Sequence, residues 1–426
     1  MSSSLLDTAS STRTFDETVA AAREASRALG TATTDQKNRA LEAIAASVHA
    51  HAAEIVAANE LDRAAGRTNG LSDGLIDRLT LSPARLDALA DAVREIAQLT
   101  DPVGSTVRGS TLPNGVRILE TRVPFGVVGA IYEARPNVTI DIASLAIKSG
   151  NAVVLRGGSA AENTNRVLVE LIQSALTGAG LPADAAQTID RFGRDGAARL
   201  MRARGYIDIL IPRGSADLIN TVVAESTVPV IETGAGVVHI VLDESAREDW
   251  AVEIVRNAKV QRPSVCNAVE TLLVHVGAAQ RLLPPVLNAL RDDGVTVHAD
   301  ERARAIFADA VPVTDEDWAT EHMSLDISVG VVDSLDEAIA HIRRYSTQHT
   351  ESIITNDLAN ADHFLAEVDS AVVMVNTSPR FTDGGEFGFG AEVGISTQKL
   401  HARGPMGLPE LTSTKWTVRG AGQVRA

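Results

Sequence analysis

The chain has 426 residues, 45% hydrophobic and 3% aromatic, with a formal net charge of -16. That length implies two or three domains with ample apolar core, and the acidic balance argues against nucleic acid, whose phosphates demand clustered cations. A single cysteine excludes internal disulfides and thiolate zinc cages.

Residues Met1 to Thr14 are rich in serine and threonine and lack the apolar run of an export signal. No segment approaches the ~20 apolar residues that span a bilayer. With one thiol and no export signal, the expected home is the reducing cytoplasm. Two amphipathic helices are expected to open the fold. Thr33-Thr-Asp-Gln36 reads as a capping box, with Leu41, Ile44, Val48 and Ile55 at helical spacing behind it. Ser82-Pro83 supplies an N-cap and a first-turn proline, and Leu86, Leu89, Val93 and Ile96 then share a face. Between Asp101 and Arg122, Pro113-Asn114-Gly115 is turn chemistry between extended runs, which predicts a β-hairpin.

From Val127 the pattern alternates. Apolar runs at Val127–Tyr132, Ala152–Leu155, Ile207–Ile211 and Val228–Ile231 are separated by helical stretches, the signature of a parallel sheet with crossover helices. A second series runs through Val237–Leu242, a helix to about Val260, Val269–Val276, and strands near Val295, Ser352 and Val372. Two α/β domains are expected, with a boundary near Thr233–Gly236.

Cys266 falls between that helix and the strand after it. Arg262-Pro263 breaks the helix just ahead, so the thiol faces either a cleft or the core. Burial is the commoner fate of a lone cysteine. A junction beside Lys259 and Arg262 suits a reactive thiolate better.

Other motifs are ambiguous on their own. G-x-G-x-x-G is absent. Arg156-Gly157-Gly158-Ser159 links a strand to a helix, and is either an ordinary turn or a phosphate-receiving one, Arg156 then favouring NADP over NAD. Asn137, in Glu133-Ala-Arg135-Pro-Asn137, either caps a helix or aims its amide at an oxyanion; Arg135 beside it suits an anionic substrate. Glycines crowd the segment Thr382 to Gly394, close to Lys399, His401 and Arg403, which form either an anion-receiving patch or a solvated turn. The histidines show no metal-type spacing, and no metal is expected.

Taken together, Gln261-Arg-Pro-Ser-Val-Cys266-Asn-Ala-Val-Glu-Thr, Glu133-Ala-Arg-Pro-Asn137-Val and the run Glu386 to Gly407 resemble the gamma-glutamyl phosphate reductase family of the aldehyde dehydrogenase superfamily. The likeness extends from about Thr14 to Trp416. It implies an α/β, aldehyde dehydrogenase-like fold: a Rossmann-type NADPH-binding domain (1–103 and 123–234), an α/β catalytic domain (235–398), and a small oligomerisation hairpin and tail (104–122 and 399–426). It also implies NADPH-dependent reduction of L-glutamyl 5-phosphate to L-glutamate 5-semialdehyde with release of phosphate, a step of proline biosynthesis. A homo-oligomer is expected, the substrate coming from a separate glutamate 5-kinase with which the chain associates transiently.

By the same resemblance Cys266 is the nucleophile and Asn137 the oxyanion donor. Arg156, Gly157, Gly158 and Ser159 occupy the cofactor turn, and Gly214-Ser215 the nicotinamide-side loop. Glu232 stands where hydrolytic relatives keep a general base, but in a different motif, and is counted with the cofactor residues. Arg135, Arg262, Lys399 and Arg403 are candidates for the substrate and its phosphate. The alternative is another superfamily oxidoreductase that needs no phosphate.

Overall fold

A computed structural model describes residues 13–425; the serine-rich start of the chain lies almost entirely outside them. Two compact units emerge. Of the described residues, the first comprises 13–232, 389–394 and 406–425, and the second 233–388 and 395–405.

Five helices, not two, open the first unit: α1 (Phe15–Leu29), α2 (Thr34–Ala50), α3 (Ala52–Thr68), α4 (Asp73–Leu79) and α5 (Pro83–Gln98). The Thr33–Gln36 capping box forms as expected, and Thr14 with Glu17 makes another. Ser82 caps α5 with Pro83 in its first turn. Ile55, expected on one helix with Leu41, belongs to the next. The backbone at His51 leaves helical geometry (φ -104°, ψ 20°) and divides the segment there.

The predicted hairpin is β1 (Thr106–Thr111) and β2 (Arg117–Pro124), extended by the antiparallel C-terminal strand Thr412–Arg419. The same unit holds a four-stranded parallel sheet ordered β5-β4-β3-β6, built from β3 (Val127–Tyr132), β4 (Ala152–Arg156), β5 (Ala186–Thr188) and β6 (Ile209–Arg213). Its crossovers include α6 (Asn137–Lys148), α7 (Glu162–Gly178) and α8 (Gly193–Met201), and α9 (Ala216–Glu225) follows β6. Every residue of β3 is buried, which is why it reads as an unbroken apolar run. Val228–Ile231 is not the strand expected. It makes only a single bridge, Leu210 with Val230, because Pro229 has no N–H to donate to a ladder.

The second unit is a seven-stranded parallel sheet ordered β10-β9-β11-β8-β7-β12-β13. Its elements in chain order are β7 (Val238–Leu242), α10 (Glu248–Val260), β8 (Val269–His275), α11 (Val276–Asp292), β9 (Thr296–Ala299), α12 (Glu301–Ile306), β10 (Val311–Pro312), α13 (Asp315–Ala319), β11 (Asp326–Val332), α14 (Leu335–Tyr345), β12 (Thr350–Ile354), α15 (Leu358–Glu367) and β13 (Val372–Val375). Leu272, Val274, Leu282, Val286 and Val329 pack one face of the sheet; Val241, Ile339, Ile353 and Phe364 pack the other. Strand β11, absent from the sequence reading, lies in the middle of this sheet beside β8. Cys266 sits in the link from α10 to β8.

Candidate active site

Helix α10 ends at Val260, and Arg262-Pro263 cannot continue it. The link then closes on itself, the Ala268 N–H donating to the Val265 carbonyl at 3.0 Å. Cys266 is a half-buried thiol, and the next residue, Asn267, is buried. The Asn267 amide donates to the carbonyls of Arg380 (3.3 Å) and Thr382 (2.9 Å), tying the thiol's link to the turn after β13. Gly236 is pressed against the other side. A Cβ built there would fall 1.6 Å from the Cys266 carbonyl oxygen. The Gly236 N–H donates to Glu321 at 2.8 Å, fixing that approach. Gly236→Ala is therefore expected to displace the Cys266 backbone and lower kcat about 100-fold, the usual cost of ~1 Å of misplacement. Steady-state kinetics beside a thermal melt check this; wild-type kcat in a folded variant contradicts it.

The structure corrects one electrostatic expectation. Lys259 is fully buried and donates to Glu270 Oε2 at 2.7 Å and to the Val269 carbonyl at 2.9 Å. Its charge is committed to Glu270 rather than to the thiol. Burial pushes the Glu270 carboxyl up to about 7, opposed by Lys259. The cation that shares an electrostatic interaction with Cys266 is Arg380, which also feels the like charge of the exposed Arg262. Lys399 and Arg403 both pair with Asp369, Arg403 at 2.9 Å.

In the first unit, Asn137 is the first residue of α6 and makes no capping bond. Its Nδ2 donates instead to Asp141 Oδ2, one turn on, at 3.0 Å. Asp141 is only half-buried by exposure, yet desolvation raises its carboxyl to about 6 against the Asn137 bond and the Arg213 charge. Just upstream, Ala134 holds φ 46°, a left-handed conformation costly for a residue with a side chain. Glu133, exposed before it, accepts a hydrogen bond from Ser215 Oγ at 3.2 Å, and Ser215 caps α9. A carboxylate thus lies over the helix terminus that begins at Gly214-Ser215. Arg135 and Glu232 are half-buried.

The Arg156–Ser159 turn closes β4. The Gly157 N–H donates to Asp190 Oδ1 at 2.6 Å, and Asp190 Oδ2 accepts from Asn165 at 3.0 Å. Burial raises the Asp190 carboxyl, while these bonds and Arg156 hold it down. Gly157 is required for packing, since a Cβ would lie 2.0 Å from Asn165 Nδ2. Gly158 has φ 75°. These glycines alone therefore do not mark a phosphate site. What fits a nucleotide phosphate is the Arg156 Nε, buried with no protein partner, with exposed Ser159 at the end of the turn. Asp190 and Glu133 escaped sequence reading; the available clue for Asp190 was an acidic residue just past the end of β5.

Among the described residues no group of three potential metal ligands occurs, and no helix is long and apolar enough to cross a membrane.

Parallel α/β sheets and a single thiol at a helix-to-strand link fit an oxidoreductase of the aldehyde dehydrogenase type. Residues 7–304 match the model of the aldehyde dehydrogenase family. An acetylating aldehyde dehydrogenase from Geobacillus thermoglucosidasius shares the fold at 16% identity, with TM-score 0.71 over 97% of each chain. Such a fold implies a nicotinamide cofactor. The likeness then narrows. The gamma-glutamyl phosphate reductase of Leifsonia xyli is 74% identical over 95% of this chain and 96% of its own, and that of Thermobifida fusca is 59% identical over 95% and 97%. The crystal structure of the Thermotoga maritima gamma-glutamyl phosphate reductase gives TM-score 0.94 at 46% identity, covering 97% of this chain and 100% of that one. The chain belongs to the gamma-glutamyl phosphate reductase family.

Proposed function

We propose that this chain reduces L-glutamyl 5-phosphate to L-glutamate 5-semialdehyde with NADPH, through a thioester on Cys266, in the proline-forming direction. The observation that carries the reading is the half-buried Cys266 thiol on a link flanked by Arg262 and Arg380. The Cys266 thiolate attacks the acyl carbon, and the C–O bond to phosphate breaks with its electron pair leaving on inorganic phosphate. Phosphate is a good leaving group, so no strong acid is needed. The Cys266 N–H is the proposed oxyanion donor on the thiol's own link, and the family resemblance assigns Asn137, whose Nδ2 is held by Asp141, to the same role; removing one such donor costs about 3–4 kcal/mol of barrier. Arg135, Arg262, Lys399 and Arg403 supply the anion-receiving charge. Lys399 and Arg403 act from beside Asp369, so Arg262 is the stronger candidate for phosphate. NADPH, when bound, supplies the hydride that reduces the thioester.

Arg156, Gly157, Gly158, Ser159, Gly214, Ser215 and Glu232 are assigned to the cofactor. Arg156→Ala is expected to weaken NADPH by about 10–100-fold, or roughly 1.4–2.8 kcal/mol, with NADH changed by less than about threefold. Fluorescence titration with both cofactors checks this, and equal losses remove Arg156 from the 2′-phosphate. Omitting phosphate from the aldehyde-oxidation assay tests the whole reading, because oxidation that continues without phosphate or arsenate points to a hydrolytic relative.

The cytoplasm is the proposed location, and a second copy of the chain the proposed partner, through the hairpin (104–122) and tail (399–426). Val107, Leu119, Trp416 and Val418 lie exposed on the antiparallel sheet, which supports pairing there. Transient contact with a glutamate 5-kinase accords with a chain that must receive a labile acyl phosphate.

A further inference from the structure

Nothing in the sequence singles out Arg380. It stands in the short 3₁₀ turn Pro379–Phe381 that follows β13, more than a hundred residues from the thiol. Three side-chain bonds bring that turn to the Cys266 link. Ser378 Oγ donates to Asn257 Oδ1 at 2.7 Å. The Arg380 carbonyl accepts from Asn267 at 3.3 Å, and Arg380 Nε donates to Gln261 Oε1 at 3.0 Å. Asn257, Gln261 and Asn267 all belong to the stretch that carries Cys266, so one short segment positions both the thiol and the guanidinium.

The electrostatics are unusual for so acidic a chain. Arg380 is half-buried, and burial and then the like charge of Arg262 lower its proton affinity; Asp383, Cys266 and Glu386 act in the opposite sense. The two guanidiniums lie within electrostatic reach of each other, and Arg380 within reach of the thiol, so they repel until an anion joins them. Asp383 offsets part of this from the same loop, its own carboxylate accepting the Gly385 N–H at 2.8 Å. With Nε engaged by Gln261, the two terminal nitrogens of Arg380 retain the fork geometry that fits phosphate oxygens.

We propose that Arg380 is a substrate-binding residue that, with Arg262, holds the phosphate of the acyl phosphate beside Cys266 and keeps it as it leaves. This rests on the acyl-phosphate reading above. In the forward direction the Sγ–C bond forms while the C–O bond to phosphate breaks, the electron pair going with phosphate. In reverse a phosphate oxygen held by the two arginines attacks the thioester carbon and the thiolate leaves. No proton donor is required in either direction. The Gln261 bond positions the guanidinium, because it fixes the planar fork of donors by the one nitrogen that is not terminal.

The test uses phosphate-dependent oxidation of glutamate 5-semialdehyde by the full chain. Arg380→Gln is expected to raise the KM for inorganic phosphate at least tenfold while the KM for the aldehyde moves less than twofold, and Arg380→Lys is expected to recover part of the loss. Gln261→Leu, which frees the guanidinium without removing it, is expected to raise phosphate KM by a smaller factor. An unchanged phosphate KM in Arg380→Gln, or equal rises for phosphate and aldehyde, overturns the assignment. If Arg380→Gln melts below the assay temperature, Arg380→Lys decides: a phosphate KM raised threefold or more supports the assignment and an unchanged one overturns it. Wild-type enzyme that oxidises the aldehyde equally well without phosphate defeats the underlying reaction instead, so the two failures are separate.

Discussion

Cys266→Ala is expected to lower aldehyde oxidation by roughly 10⁴-fold or more, because removing a nucleophile abolishes the covalent route and leaves only binding and oxyanion contributions. That corresponds to at least about 5.5 kcal/mol of barrier. NADPH affinity should stay within about twofold, since the residues assigned to the cofactor lie in the other compact unit. Cys266→Ser should fall nearly as far. The hydroxyl is a much weaker nucleophile, and no histidine or carboxylate is assigned here to activate it. Wild-type enzyme given the acyl phosphate without cofactor should accumulate a glutamyl adduct, seen in the intact mass and lost in both variants. Residual turnover above about one percent in Cys266→Ala, with no adduct in the wild type, sinks the thioester. Cofactor-free conditions matter because hydride delivery otherwise clears the intermediate.

The legible parts of this chain were local. A proline three residues before Cys266 and a β-rich run after it place the thiol at a helix-to-strand junction, and such a junction forms (Val260 to Val269). The Thr33–Gln36 box and the Pro113-Asn114-Gly115 turn each specify their geometry within four residues, and both are present. Long-range pairings were not legible. Arg380 reaches the thiol's link through Asn267 and Gln261, 113 and 119 residues away in sequence. Asp190 meets Gly157 across 33 residues. Neither spacing carries a local pattern. Strand β11 was missed because its run follows a polar stretch without turn chemistry strong enough to mark a boundary. Lys259 was misread for a related reason. Sequence proximity to Cys266 suggested a shared field, whereas the last turn of α10 buries the ammonium under β8, where Glu270 meets it.

That buried pair gives the largest expected effect on stability. Lys259→Met should reduce the free energy of unfolding by about 3–5 kcal/mol near neutral pH, the cost of leaving one buried charge uncompensated. Glu270 would retain the Met323 N–H at 3.3 Å as a weak donor, with Glu321 repelling it. Burial already raises Glu270 to about 7 in the presence of Lys259; without the cation the folded value rises further above the unfolded one. A carboxyl raised in the folded state contributes stability at low pH that disappears as pH rises through the folded value. The deficit of Lys259→Met should therefore be largest at pH 8 and shrink toward pH 5. Urea midpoints at both values test the sign, and a deficit that grows on acidification refutes it. Lys259→Met combined with Glu270→Leu should recover most of the stability, since an apolar pair of similar volume removes both desolvation terms. Activity provides the second readout. Glu270 lies in β8 four residues beyond Cys266, and Lys259 closes α10 seven residues before it, so the pair clamps both ends of the link that carries the thiol. A double variant that regains stability but not kcat would show that the ion pair is kept for the placement of Cys266 rather than for holding the sheet together.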